Sequence, residues 1–157
     1  MQVLFAYDGS EHAAAAIAKA GELLSTRGAE AIVLAVWEPL TVQALQAGVA
    51  GVFAPPIAPL DVPELNEESE QHAKDLAERG SDLAGRAGFD AKAAWAAEER
   101  GIADTIVARA DELDADVIVL GARGLAGVRA FLGSVSNHVV QHARRPVLVV
   151  PGKQDDE

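Results

Sequence analysis

The feature that most restricts this chain is an alternation between two kinds of segment. Short runs of uninterrupted apolar residues are each followed by a stretch whose apolar residues recur with helical period. The first run, Val3-Leu4-Phe5-Ala6-Tyr7, stops at Asp8-Gly9-Ser10. A strand with one wet face alternates apolar and polar residues, so continuous apolarity over five residues predicts a strand covered on both faces. Ser10 is placed to cap a helix with the stripe Ala13, Ile17, Ala20 and Leu24, and Gly28 stands where a glycine closing that helix is expected. Residues 31–36 form a second apolar run, which completes a strand-helix-strand unit within about 35 residues.

The rest of the chain repeats the alternation after one interruption. Five of the seven prolines fall between Trp37 and Pro63, which reads as a long surface connection with a helical turn around residues 42–47. A helix then carries Ala73, Leu76, Ala77, Gly80, Leu83, Ala84 and Ala87 on one face and ends at Gly88. Residues 91–97 make an alanine-rich strand of weak propensity, followed by a helical stripe of Ile102, Ile106, Ala110 and Leu113. Residues 116–120 are the clearest strand. Beyond a glycine-rich segment, Val135, Val139, Val140 and Ala143 support a last helix, and residues 146–150 a last strand. The pattern is that of an α/β protein: an open five-stranded parallel sheet with helices on both faces. It leaves the order of the strands open.

Charge and cysteine content remove several functions. Lys and Arg number 13 against 24 acids, a net charge of −11, which repels phosphate backbones and anionic lipid surfaces. Neither nucleic acid nor membrane is therefore an expected partner. The absence of cysteine excludes disulfides, thiol catalysis, iron–sulfur clusters and cysteine-ligated zinc. No run approaches 18 apolar residues, and the first residues lack a basic region and a long apolar region. The expected location is the cytoplasm.

In an open α/β sheet, ligands sit beyond the carboxyl ends of the strands, where the strand order reverses. Two strand ends carry suitable chemistry. One is Asp8-Gly9-Ser10; the other reads GARGLAGVRAFLGSVS, from Gly121 to Ser136. In the latter, Gly121 and Gly124 are followed by eight residues and then Gly133-Ser134-Val135-Ser136, which open a helix. Glycines let an anion approach backbone amides, and a helix N-terminus adds unpaired N–H donors with a partial positive charge. Ser134 and Ser136 supply hydroxyls, and Arg123 and Arg129 offer charge-assisted bonds. Those are the parts of a phosphate cradle. The lysine-bearing loop of P-loop NTPases is absent, and Asp8-Gly9-Ser10 stands where a dinucleotide fold would have its Gly-x-Gly-x-x-Gly. A receiver domain would end its last strand in lysine, but this strand ends in Val149-Val150-Pro151.

With these residues in view, the chain resembles the universal stress protein family. The likeness rests on VLFAYDGSEHA near the start, DADVIVLGARGLAG after the third helix and LGSVSNHVVQHARRPVLVV at the end. It covers essentially the whole length, with one domain over residues 1–151 and a polar tail at 152–157. The resemblance implies an adenine nucleotide alpha hydrolase-like sheet in the order 3-2-1-4-5, a homodimer and, in members with a Gly-x2-Gly-x9-Gly-Ser/Thr motif, bound ATP. By position, Asp8 would contact the ribose, and Ala6, Tyr7 and Val36 would lie near the adenine. Gly121, Gly124, Gly133, Ser134, Val135 and Ser136 would hold the phosphates, with Arg123 beside them. This loop has eight residues between its second and third glycines where the family has nine.

The implied function is regulatory binding of ATP in a stress response, with any Mg²⁺ held through the phosphates and at most weak hydrolysis. Two alternatives stay open: a nucleotide-free dimeric interaction module, and a slow ATPase or self-phosphorylating protein using Ser134 or Ser136. In the implied order the strand at 146–150 lies at the sheet edge, where pairing with a second copy would cover it. Each site residue also has a plainer reading. Asp8 can serve as the acid at a helix N-terminus, Ser136 as a helix cap and Arg123 as a solvated surface residue. His138 and His142 stand one helical turn apart, but no carboxylate close by in sequence completes a metal shell. Trp37 and Trp95 read as packing residues, His12 and His72 as surface ones.

Overall fold

The computed structural model describes residues 1–41, 61–122 and 132–152, and within these five strands alternate with four helices. In chain order they are β1 (Gln2–Ala6), α1 (Glu11–Leu23), β2 (Glu30–Trp37), α2 (Val62–Arg86) and β3 (Asp90–Ala97), followed by α3 (Ile102–Glu112), β4 (Val117–Ala122), α4 (Ser134–His142) and β5 (Val147–Pro151). The sheet is wholly parallel in the order β3-β2-β1-β4-β5. Chain direction across the sheet therefore reverses between β1 and β4. The expected turn around residues 42–47 lies outside the described residues.

The apolar runs are explained by what covers them. Val3, Phe5 and Tyr7 face α1 and α2, whereas Leu4 and Ala6 face α3 and α4. Val3, Leu4 and Phe5 are buried whichever face they point to, so the middle of β1 is apolar throughout. Phe5 meets Phe89 edge to face at 5.3 Å under the first pair of helices. Ala13, Ala16 and Ala20 of α1 and Ala73, Ala77 and Ala84 of α2 are buried and let the helices approach the sheet closely. β3 is an edge strand, which is why its sequence is the least apolar of the five. Trp95 on β3 is 36% exposed rather than packed in the core. Its indole N–H donates to Glu70 at 3.3 Å, and the Lys74 ammonium lies 5.4 Å from the ring centre.

Helix ends follow local chemistry. The Ser10 hydroxyl accepts from the Ala13 N–H at 3.2 Å and caps α1, while Asp61 accepts from the Glu64 N–H at 3.1 Å to cap α2, with Pro63 in the first turn. Gly88, at φ +103°, closes α2. Its N–H reaches the Gly85 carbonyl at 3.0 Å, and that of Phe89 reaches Ala84 at 3.1 Å. α3 ends the same way with Asp114 at φ 51°. The Asp114 carboxylate accepts from Arg145 at 2.7 Å, and this bond, followed by that to Asp111, raises the guanidinium pKa above its usual value.

Five expectations need correction. Gly28 does not close α1, which ends at Leu24 in extended backbone; at φ +71° it makes the turn into β2. Leu113 is the exposed C-cap just after α3 rather than part of its core stripe, and Val140 is 44% exposed. Gly121 belongs to β4, not to the loop after it. The last strand starts at Val147 and takes in Pro151, which an edge strand tolerates because one side of its ladder is unpaired.

Two glycines of α2 separate packing from propensity. A Cβ at Gly80 would fall 2.6 Å from Val33 and 2.8 Å from Tyr7, both buried, whereas one at Gly85 would meet nothing within 4 Å. Alanine gains up to about 1 kcal/mol of helix propensity at either site, and overpacking costs about 1–3 kcal/mol. Gly85→Ala should therefore raise the denaturation midpoint and Gly80→Ala should lower it. Equal stabilisation by both would contradict the close approach of α2 to β1 and β2.

Candidate functional site

A cavity of about 330 Å³ opens at the carboxyl ends of β1, β2 and β4, within the range of about 300–1,000 Å³ typical of small-ligand pockets. One side is apolar: Ala6, Leu34, Val36, Leu120, Ile102 and Ile106. The other is polar, with Asp8, Ser10, Ser134 and Ser136 beside the backbone of Gly121 and Gly133. Ala13, Tyr7 and Val135 complete the lining. Of the residues singled out from sequence, the structure thus gathers Ala6, Tyr7, Asp8, Val36, Gly121, Gly133, Ser134, Val135 and Ser136 around one space. Arg123, Gly124 and the shortened stretch between Gly124 and Gly133 lie outside the described residues.

Asp8 is held by the turn that follows β1. Its Oδ1 accepts from the Ser10 N–H at 3.0 Å, and Gly9 takes φ +80° to bring the chain round into α1. An exposed carboxylate fixed in this way at a cavity rim is an acceptor for hydroxyl groups. Tyr7 borders the cavity, but it belongs to the core under α1 and α2, its ring lying against Gly80.

α4 presents a helix N-terminus to the same space. Gly133 is its N-cap and no described side chain caps it, so the first-turn amides of Ser134, Val135 and Ser136 are offered to whatever enters. The Ser136 hydroxyl is committed elsewhere. It is buried and donates to the Gly121 carbonyl at 3.2 Å, which ties α4 to the end of β4 instead of capping the helix. Ser134 stays exposed at the rim.

The two glycines described here differ in what surrounds them. A Cβ on Gly121 would fall 2.6 Å from the backbone carbonyl of His12, so close packing of α1 on β4 demands glycine there. Gly133 has φ −59°, and among the described residues a Cβ there would meet nothing within 4 Å.

Sequence reasoning missed Ser10, Ala13, Leu34, Leu120, Ile102 and Ile106 as cavity residues. Ile102 and Ile106 were legible only as core, although the first turn of a helix leaving β3 must begin at this same end of the sheet. Among the described residues no group of three or more His, Asp or Glu side chains could hold a metal. The imidazoles of His138 and His142 stack at 4.0 Å, and His138 Nε2 lies 2.7 Å from Asp104 of α3.

Fold and cavity together define an open, doubly wound α/β protein with a ligand-sized cleft where its strand order reverses. The family model for the universal stress protein family matches residues 1–151. A curated relative, universal stress protein YxiE of Bacillus subtilis, is 31% identical over 150 residues, covering 95% of this chain and 97% of the relative. The chain belongs to the universal stress protein family. Its fold, adenine nucleotide alpha hydrolase-like, is shared with a universal stress protein solved in complex with cAMP (TM-score 0.65, 22% identity, 98% of each chain covered). It is also shared with the universal stress protein from Archaeoglobus fulgidus in complex with dAMP (TM-score 0.62, 21% identity, 95% of this chain and 96% of that one). Among the described residues, no helix is long and apolar enough to cross a membrane.

The contrast between the glycines is measurable without any ligand. Gly121→Ala should cost about 1–3 kcal/mol of folding stability through overpacking against α1. Gly133→Ser should cost nothing and add a few tenths of a kcal/mol, roughly the advantage of serine over glycine as an N-cap. Equal losses in urea denaturation would contradict the assignment of Gly121 to packing.

Proposed function

We propose that this protein binds ATP as a regulatory ligand in the cleft between the ends of β1 and β4, in a stress-response role. One observation carries the reading: a carboxylate, an uncapped helix N-terminus and an apolar slot converge on a single cavity. Asp8 accepts hydrogen bonds from ribose hydroxyls. Ala6 and Val36, with Tyr7 behind them, flank the base. The amides of Ser134, Val135 and Ser136 and the Ser134 hydroxyl hold phosphate oxygens, and Gly133 allows their close approach. Arg123 adds a charge and Gly124 a backbone amide for the same phosphates, and the Gly121 carbonyl steadies Ser136. Relatives of the same fold solved with cAMP and dAMP support an adenine nucleotide as the ligand class. The three phosphates would supply the ligands for any Mg²⁺.

The bound nucleotide serves as a signal rather than a substrate. Among the described lining residues no histidine, lysine or second carboxylate stands beside Asp8 to activate a water. Hydrolysis is at most slow.

Titration calorimetry tests the reading. The unmodified protein should bind ATP, and Asp8→Ala should weaken it about tenfold, the consequence of leaving ribose hydroxyls unpaired in a site sheltered from water. The variant should remain folded, since Asp8 lies at an exposed rim. Absence of nucleotide in native mass spectra, together with no heat on titration to millimolar ATP, would sink the proposal.

A homodimer through β5 is the second part of the proposal. β5 is a sheet edge, Leu148 packs toward α1, and Val149 points to the other face, where it stays half-buried. Pairing of two such edges about a two-fold axis would satisfy both ladders and cover the apolar rim. Light scattering at micromolar concentration should give the mass of two chains, with or without ATP. Val149→Lys should give one chain or aggregate, and a single-chain mass for the unmodified protein would refute the dimer.

A further inference from the structure

We propose that Asp104 and His138 act as positioning residues, forming a clasp that sets the separation of the two helices walling the nucleotide cleft. The proposal rests on the cleft being a nucleotide site and adds two residues that do not line it. α3 and α4 lie side by side over the same face of the sheet. Ile102 and Ile106 project from α3 into the apolar half of the cleft, on either side of Asp104 in sequence. On α4, the residues offering amides to the cleft end at Ser136, two positions before His138. The one contact of 2.7 Å between Asp104 Oδ1 and His138 Nε2 therefore joins the base wall to the phosphate wall.

The imidazole is held at more than that one point. A carboxylate only accepts, so His138 Nε2 carries the proton and donates to Asp104. The ring also stacks on His142, with centres 4.0 Å apart and planes 20° from parallel. His142 is fixed in turn by its Nδ1–H, which donates to the His138 carbonyl at 2.9 Å. α4 has little else to fix its first turns. No described side chain caps it, and among the described residues the other ties of its first turns are the Ser136 bond to the Gly121 carbonyl, buried Val139 and half-buried Val135 against the core. Both clasp side chains are over a third exposed, at 40% and 46%, so the pair contributes little to global stability. Its effect is geometric: a small shift of α4 moves three amide donors that act together on one anion.

A second tie between the same two elements provides the control. Arg145, just after α4, donates to Asp111 at 3.3 Å and Asp114 at 2.7 Å, at the far end of α3 from the cleft. It supports the packing of α3 without touching the first turns of α4.

The experiment measures the AMP and ATP affinities of Asp104→Ala, His138→Ala, their double variant, Asp104→Asn and Arg145→Ala, alongside their melting temperatures. Each alanine single should weaken binding about three- to tenfold, the range expected for residues that act on a site without touching its ligand. The double variant should lose no more than the worse single, because both break one contact. Asp104→Asn keeps an acceptor for His138 and should stay within about twofold of the unmodified protein. Arg145→Ala should lower the melting temperature and leave the affinity unchanged. Nucleotide binding that is indifferent to the alanine singles overturns the clasp alone, as do losses that add in the double variant. So does an equal loss of affinity in Arg145→Ala, which would make the effect one of general packing. No uptake of either nucleotide by the unmodified protein overturns both the clasp and the function it rests on.

Discussion

Covering both faces of a parallel sheet is the constraint on which everything else here depends. A parallel pair cannot be joined by a tight turn, so each strand must be followed by a crossover, and the helices of those crossovers bury the sheet. β1 sits at the centre of the order β3-β2-β1-β4-β5 and is buried on both sides, with Val3 and Leu4 at 0% exposure. Because the chain leaves β1 toward β2 on one side and reaches β4 on the other, the segments after β1 and β4 diverge. That divergence leaves the space in which Asp8, Ser10 and the start of α4 face one another. The cavity is thus a product of topology, and the side chains around it give it its chemistry.

Close packing then decides which residues the cavity may have. Gly121 cannot carry a side chain because the first turn of α1 lies over it, and the resulting proximity lets its carbonyl take the Ser136 hydroxyl at 3.2 Å. One glycine thereby seats α1 and anchors α4, both of whose N-termini face the cleft. At Gly133 no described atom stands within 4 Å of where a Cβ would be. Two glycines of one motif, twelve residues apart in sequence, thus differ in what surrounds them.

The strands were legible because burial on two faces writes itself as continuous apolar runs, and β1, β2 and β4 show it most plainly. β3 was faint because an edge strand keeps polar positions such as Asp90 and Lys92. The order of the strands was not in the periodicity at all; it came from family resemblance and agrees with the sheet observed. At the site, the polar strand ends and the glycines drew attention to Asp8 and residues 133–136, which the fold brings together. Ile102 and Ile106 carry no chemical mark that separates a cleft wall from a core stripe. The contact of Asp104 with His138 spans 34 residues and two helices, and no spacing rule reaches that far. Tyr7 shows the converse: it borders the cleft, yet its ring packs against α2.

The central claim is that an adenine nucleotide sits on the first turn of α4 at the mouth of β1 and β4. Amide hydrogen exchange, followed residue by residue with and without ATP, addresses it most directly. The amides of Ser134, Val135 and Ser136 have no helical carbonyl to bond, so in the free protein they should exchange fast, and ATP should slow them. Protection that appears there, and at Ser10 through an ordered Asp8, is the result this account predicts. ATP binding that leaves the exchange of residues 134–136 unchanged would place the ligand elsewhere and contradict it.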